Sequence, residues 1–270
     1  MSELNGWALI LGASSGFGAA TARALARAGM DICGAHLDRK QTQPLADAVK
    51  ADVEAAGRRC VLHNVNAAEP ERIDEVLDGL SALLAADGAP GTLRVLLHSL
   101  AFGSLLPFVP PPGEPDAKCI TPRQMAMTSD VMAHSLVYWV QGAVARGLMG
   151  REGRVYAMTS SGGTRVMPAY GAVSAAKAAL EAHVRQLAFE LGPRGIAVNA
   201  IRAGITDTPA LRKIPGNDVL LVGATARNPA GRLTTPDDVA AAIVALSAPG
   251  TTWMSGNVIG VDGAEDVVGF

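Results

Sequence analysis

Three cysteines, 4% aromatic residues and 18% charged residues are little for a chain of 270. Cys33, Cys60 and Cys119 are odd in number and far apart, with no C-x-x-C pair, which excludes a disulfide framework. No apolar run reaches the roughly 18 residues that a membrane-spanning helix requires. A net charge of −2 leaves no basic field for nucleic acid or for an anionic membrane surface. Met1 to Gly6 has no basic region followed by an apolar stretch, so no secretory leader is expected and a reducing cytosol is the expected compartment. His36, His63, His98, His134 and His183 stand at no metal-ligand spacing with cysteine or carboxylates, so no metal is expected. Ser160-Ser161 lacks the G-x-S-x-G context of a hydrolase elbow.

What the chain has is 49% hydrophobic residues, mostly small and aliphatic, and a repeated alternation. Short apolar runs at 7–11, 32–37, 60–65, 93–97, 154–158, 196–201 and 257–261 read as strands. Helical stretches at 21–28, 46–56, 70–86, 122–149, 169–191 and 236–247 lie between them. This order predicts an α/β fold. It is one doubly wound Rossmann domain over 1–270, with a seven-stranded parallel sheet and helices on both faces. Two segments break the rhythm. Pro107 to Pro115 holds five prolines, and 204–229 contains Pro209, Pro215 and Pro229. Both follow strands, so both belong at the carboxyl edge of the sheet, where such sheets bind ligands. Segments 103–121 and 204–229 are read as loops walling a substrate.

Gly12, Gly16 and Gly18 follow the first strand and open a helix with G-x3-G-x-G spacing, with Ser14, Ser15 and Phe17 between them. Glycines there let backbone approach a pyrophosphate, and the helix N-terminus supplies N–H donors. Twenty residues after Gly18 stand Asp38 and Arg39. An acidic residue there would bind an adenosine ribose and an arginine a 2′-phosphate. NADP(H) is favoured through Arg39 and NAD(H) is the alternative, since an inward Asp38 would repel a phosphate.

Gly12 to Gly18, Asn64-Val65, His98-Ser-Leu-Ala101, Asn199-Ala-Ile201 and Asn257-Val-Ile-Gly-Val-Asp-Gly263 resemble the short-chain dehydrogenase/reductase superfamily over nearly the whole chain. The resemblance implies that Asn64 and Val65 flank the adenine and that Ser99, Leu100 and Ala101 pass under the cofactor. It implies that Ile205 and Thr208 hold the nicotinamide amide, and it adds Thr159, Gly204 and Thr206 to the cofactor site. It also implies a homotetramer.

The usual Tyr-x3-Lys pair is absent. Tyr138, Tyr156 and Tyr170 are followed four residues later by Gly142, Ser160 and Ser174. Tyr170 and Lys177 are the one Tyr–Lys pair on a single predicted helix, seven apart and so two turns apart on one face. This Tyr-x6-Lys spacing resembles the enoyl-acyl carrier protein reductases, as do Ala203-Gly204 and Ser174 to Glu181. Moving the tyrosine three residues toward the helix start shifts its backbone by roughly 4.5 Å. In carbonyl reduction hydride and proton go to adjacent atoms. In enoyl thioester reduction hydride goes to the β-carbon and charge appears on the thioester oxygen, two bonds further along, so a displaced donor suits it.

Tyr170 is read as the enolate donor. Lys177 is read as the cation holding the nicotinamide ribose and favouring an ionisable tyrosine. Ser160 is the superfamily's usual active-site serine, at a place where many enoyl reductases carry a second tyrosine. The reading is an NAD(P)H-dependent reductase of a 2-enoyl thioester carried on acyl carrier protein or coenzyme A, in fatty-acid biosynthesis. Ser160 keeps a short-chain ketoreductase or alcohol dehydrogenase as the alternative. A non-catalytic dinucleotide sensor is disfavoured because Ser, Tyr and Lys are all present.

Overall fold

The computed structural model describes residues 4–89 and 91–268; Met1 to Glu3, part of the start read above for a leader, lie outside the described residues. Seven strands form one sheet: β1 (Trp7–Leu11), β2 (Asp31–His36), β3 (Cys60–Asn64), β4 (Leu93–His98), β5 (Arg154–Thr159), β6 (Ala197–Ala203) and β7 (Val258–Val261). The order is β3-β2-β1-β4-β5-β6-β7 and every pairing is parallel. The chain winds outward from β1 to β3 and then returns to the other side of β1, so the direction of winding reverses between β1 and β4. That reversal opens a crevice at the carboxyl ends of these two strands.

The helices are α1 (Gly16–Arg27), α2 (Gln43–Ala55), α3 (Pro70–Ala86), α4 (Pro122–Ser129), α5 (Ser135–Ala145), α6 (Gly171–Leu191), α7 (Asn217–Arg227) and α8 (Pro236–Leu246). They cover both faces of the sheet. Along β1, Trp7, Leu9 and Leu11 enter one core with Leu77 of α3, Trp139 of α5 and Leu180 of α6. Ala8 and Ile10 enter the other with Leu25 of α1, Val49 of α2 and Ile243 of α8. Every β1 side chain is buried, so the continuous apolar run is what a two-faced sheet requires.

Two expectations are corrected. The helix expected over 122–149 is broken: α4 runs into a π-turn at Asp130–His134 before α5 begins, and α5 ends at Ala145. The Ser135 hydroxyl donates to the Val131 carbonyl at 2.8 Å inside this wide turn. The segment expected as a loop over 204–229 contains a short 3-10 turn, Leu211–Lys213, and the 11-residue α7. Its prolines lie outside α7, so they do not break it. Among the described residues no helix is long and apolar enough to cross a membrane.

Candidate active site

The glycine segment builds a cradle at the crevice. Gly12 has φ +88°, and a Cβ there would strike the Ser99 carbonyl oxygen. A Cβ on Gly18 would strike the Gly12 carbonyl. Ser15 caps α1 with extended backbone (φ −152°) and makes no side-chain capping bond. The first N–H groups of α1 are therefore left for an anion. Phe17 tucks against the α1-side core, while Gly16 faces the Thr208 methyl across the cleft. Ser99 is fixed by donating its N–H to Leu11 at 2.9 Å, and Leu100 leans on the core beneath it. Ala101 is exposed. The donors and the space fit a dinucleotide pyrophosphate.

At the end of β2, the Asp38 carboxylate lies 2.8 Å from His36 Nδ1, with its side chain only 9% exposed. Burial alone would raise its pKa, but hydrogen bonds from Thr42, Ser14 and His36 outweigh this and hold it below the usual carboxylate value. Arg39 is exposed. Asn64 grips the Asp38 peptide, accepting its N–H at 3.0 Å and donating to its carbonyl at 2.9 Å. Val65 donates its N–H to the His36 carbonyl at 2.8 Å. Beside them opens a cavity of about 570 Å³ lined by Leu37, Asn64 and Val65 among others. Leu37, 66% exposed, is an apolar surface of the kind an adenine ring covers.

The helix expected over 169–191 begins at Gly171, so Lys177 lies on α6 and Tyr170 stands at its N-cap. Tyr170 caps the helix, its carbonyl accepting the Ser174 N–H at 2.8 Å. Ala169 before it is held at φ +59°, a strained turn that sets where the tyrosine points. Burial raises the Tyr170 phenol above its usual value, and a hydrogen bond with Ser160 partly reverses this. Ser160 also caps the turn after β5, accepting the Gly162 N–H at 3.1 Å. Lys177 is 4% exposed and donates to the Met158 carbonyl at 2.7 Å. Burial pushes its ammonium down to about 8, against the pull of Glu181. Thr159 donates to that same Glu181 at 2.7 Å.

The loop expected to clamp the nicotinamide is more constrained than the sequence implied. The Ile205 N–H is taken by Glu265 at 3.0 Å. Thr206 donates to the Gly204 carbonyl at 2.9 Å. Thr208 accepts the Leu211 N–H at 3.2 Å and keeps its own O–H free to donate.

Sequence reasoning missed several residues of the site. The Phe108 ring, from the proline-rich segment, lies on the bare Cα of Gly171; a Cβ there would meet it at 2.5 Å. Its signal was the five prolines, which marked a wall without telling which side chain faced in. The Ser104 N–H donates to Thr128 at 3.0 Å and pins that segment to α4. His98, fully buried, contacts Ser135 of α5 at 2.8 Å through Nε2, while its Nδ1 has no partner. Burial, then the nearby Lys177 charge, holds it down to about 3, so it is a neutral imidazole. Glu181 closed the Ser174–Glu181 pattern but carried no assigned role, and Glu265 had no signal. Away from the site, Trp139 is core, donating to the Ala67 carbonyl at 2.8 Å, and Trp253 is 98% exposed. Met132 and Met158 are core as well. Among the described residues no three His, Cys, Asp or Glu side chains gather into a group that could hold a metal.

A family model described as Enoyl-(Acyl carrier protein) reductase matches residues 12–264. The chain belongs to this family. It is an NAD(P)-dependent oxidoreductase of the short-chain dehydrogenase/reductase type. Over 203 residues it is 31% identical to an enoyl-[acyl-carrier-protein] reductase [NADH] FabI of Aquifex aeolicus, covering 73% of this chain and 70% of the relative. It is 27% identical over 259 residues to a 3-oxoacyl-[acyl-carrier-protein] reductase FabG of Vibrio cholerae, covering 95% of each. The crystal structure of the Aquifex aeolicus enoyl reductase superposes with TM-score 0.79 over 98% of both chains at 26% identity. The two relatives are thus named for different reductions, one of an enoyl and one of a 3-oxoacyl group.

Proposed function

We propose that this reductase saturates the 2,3-double bond of a 2-enoyl thioester. The observation that carries the reading is the placement of Tyr170 at the N-cap of α6 and Lys177 within that helix, both buried, with Ser160 beside the phenol. The glycine cradle and the Thr206–Thr208 loop would hold a reduced nicotinamide, which when bound would supply the hydride for the β-carbon. Tyr170 hydrogen-bonds the thioester oxygen as negative charge develops there, and the enolate becomes the saturated thioester by taking up a proton from solvent at the α-carbon. Its raised pKa keeps that proton on the phenol at neutral pH. The Lys177 ammonium spends one donor on Met158 and has two left for ribose hydroxyls. Its charge favours the enolate and any ionised phenol. Phe108 shields the start of α6 from water.

The buried Asp38 carboxylate beside Ser14 supports NAD(H) over the NADP(H) favoured by sequence, because a 2′-phosphate would meet a negative charge and Arg39 faces solvent. Phe102, Phe108, Val109, Val166, Val219 and Val222 are all more than half exposed, on the proline-rich connection between β4 and α4, the stretch before Tyr170 and α7. They support an apolar acyl chain delivered as a thioester of acyl carrier protein or coenzyme A, in fatty-acid biosynthesis. A separate exposed group, Phe189, Trp253 and Met254, supports self-association, with a homotetramer as our reading. Three free cysteines fit a cytoplasmic setting.

The second reading is carbonyl reduction, favoured by the Ser160–Tyr170 contact, which would hold a ketone oxygen between two hydroxyls. Product analysis separates them: a saturated thioester supports the first, and a new hydroxyl with any C=C intact supports the second.

A further inference from the structure

The segment after β7 does more than end the sheet. The Asp262 carboxylate accepts the N–H groups of Ala264 at 3.0 Å and Asp266 at 3.3 Å, closing a tight turn in which Ala264 sits at φ +68°. The turn drives Glu265 inward, to 6% exposure. One carboxylate oxygen accepts the Ile205 N–H at 3.0 Å, and the other faces Arg227, the last residue of α7, at 3.4 Å. Gly204 makes room for it: a Cβ there would lie 2.9 Å from the Glu265 oxygen and would strike the Thr234 hydroxyl. The next residue, Asp266, pairs with Arg165 at 2.9 Å and Arg202 at 3.1 Å. Arg165 lies between Ser160 and Tyr170. One turn is therefore bonded to the loop read as the nicotinamide clamp, to the end of α7 and to the segment carrying the catalytic hydroxyls.

We infer that Glu265 is a positioning residue for cofactor binding: by fixing the Ile205 peptide it sets the conformation of Thr206 and Thr208. The inference rests on the nicotinamide assignment made above. A buried carboxylate is a poor way merely to fill space, since an apolar side chain of similar size would avoid the desolvation cost. It is a good way to orient a single peptide N–H. Glu265 touches neither substrate nor cofactor in this scheme and acts only through the loop.

The test is fluorescence titration of the intact protein with NADH and NADPH, using Glu265→Leu, Glu265→Gln and Gly204→Ala, with circular dichroism recording folding. Glu265→Leu removes the acceptor and is expected to raise Kd for the preferred nucleotide by about tenfold. Glu265→Gln keeps an oxygen for Ile205 and is expected to recover most of that loss. Gly204→Ala, which expels the carboxylate while leaving it in the chain, is expected to behave like Glu265→Leu. Should Glu265→Leu not fold, the contrast between Glu265→Gln and Gly204→Ala decides. A folded Glu265→Leu or Gly204→Ala that binds as tightly as the parent overturns the inference, as does Glu265→Gln binding as weakly as Glu265→Leu. If the parent protein binds neither nucleotide, the nicotinamide assignment itself falls and this inference falls with it.

Discussion

Replacing Lys177 with methionine removes a buried charge while keeping the length of the side chain. The ammonium falls from the ordinary 10.5 to about 8 because it is buried. At about 1.4 kcal/mol per pH unit, that fall amounts to roughly 3 kcal/mol of native-state destabilisation at neutral pH. Below pH 8 the lysine is protonated in both folded and unfolded chains, so the native state bears the full penalty. Between pH 8 and 10.5 the unfolded chain holds the proton and the folded chain releases it, so wild-type stability rises with pH. Above 10.5 the penalty has gone. Methionine has no such dependence. The stability of wild type minus Lys177→Met therefore climbs by about 3 kcal/mol across this window. The lost bond to the Met158 carbonyl offsets the two proteins by about 1–3 kcal/mol, but at every pH, so it does not mimic the slope. Groups that titrate in the same range, such as Cys60 and Tyr156, are common to both and cancel. Urea unfolding of both proteins at pH 7, 8, 9 and 10 reads the difference. A difference that stays flat, or falls, would refute the buried-lysine argument.

Tyr170→Phe is expected to lower kcat by about 10²–10³-fold with NADH affinity unchanged, in steady-state assays paired with fluorescence titration. Asp38→Ser removes the charge at the ribose end and is expected to shift the NADPH-to-NADH ratio of kcat/KM toward NADPH by at least about tenfold, since roughly 1.4 kcal/mol of relieved repulsion suffices. Gly171→Ala displaces the Phe108 ring and is expected to lower kcat/KM for the thioester severalfold while the melting temperature moves little.

Most of the fold was legible because a two-faced parallel sheet writes itself as apolar runs separated by helical periodicity. The sequence put seven strands on the chain, and β1 begins and ends where Trp7–Leu11 does. The edges slipped by a residue or two at one or both ends of every other strand, because an apolar run does not mark where the ladder hydrogen bonds begin and end. The break inside 122–149 was not legible, because no proline or glycine marks the π-turn at Asp130–His134; what supports it is the Ser135 hydroxyl bonding back to Val131. α7 was hidden by the prolines on either side of it, which read as loop although none falls within the helix. At the site, Tyr170 and Lys177 could be found because helical spacing is a local property. Asp38 was found, but its direction was not, since that depends on His36, Ser14 and Thr42 arriving from three places. Phe108 on Gly171 and Glu265 on Ile205 are contacts across about 60 residues, and no local pattern encodes them.

The central claim is that a tyrosine seven residues before its lysine serves a thioester oxygen two bonds from the hydride acceptor. Loss of reduced-nicotinamide absorbance on crotonyl and acetoacetyl thioesters, run in parallel with NADH and NADPH and followed by product identification, tests it most directly. The account predicts faster oxidation with the crotonyl substrate and butyryl thioester as product. Faster oxidation with the acetoacetyl substrate, giving the 3-hydroxybutyryl thioester, would contradict it and make Ser160 the better guide to the bond reduced.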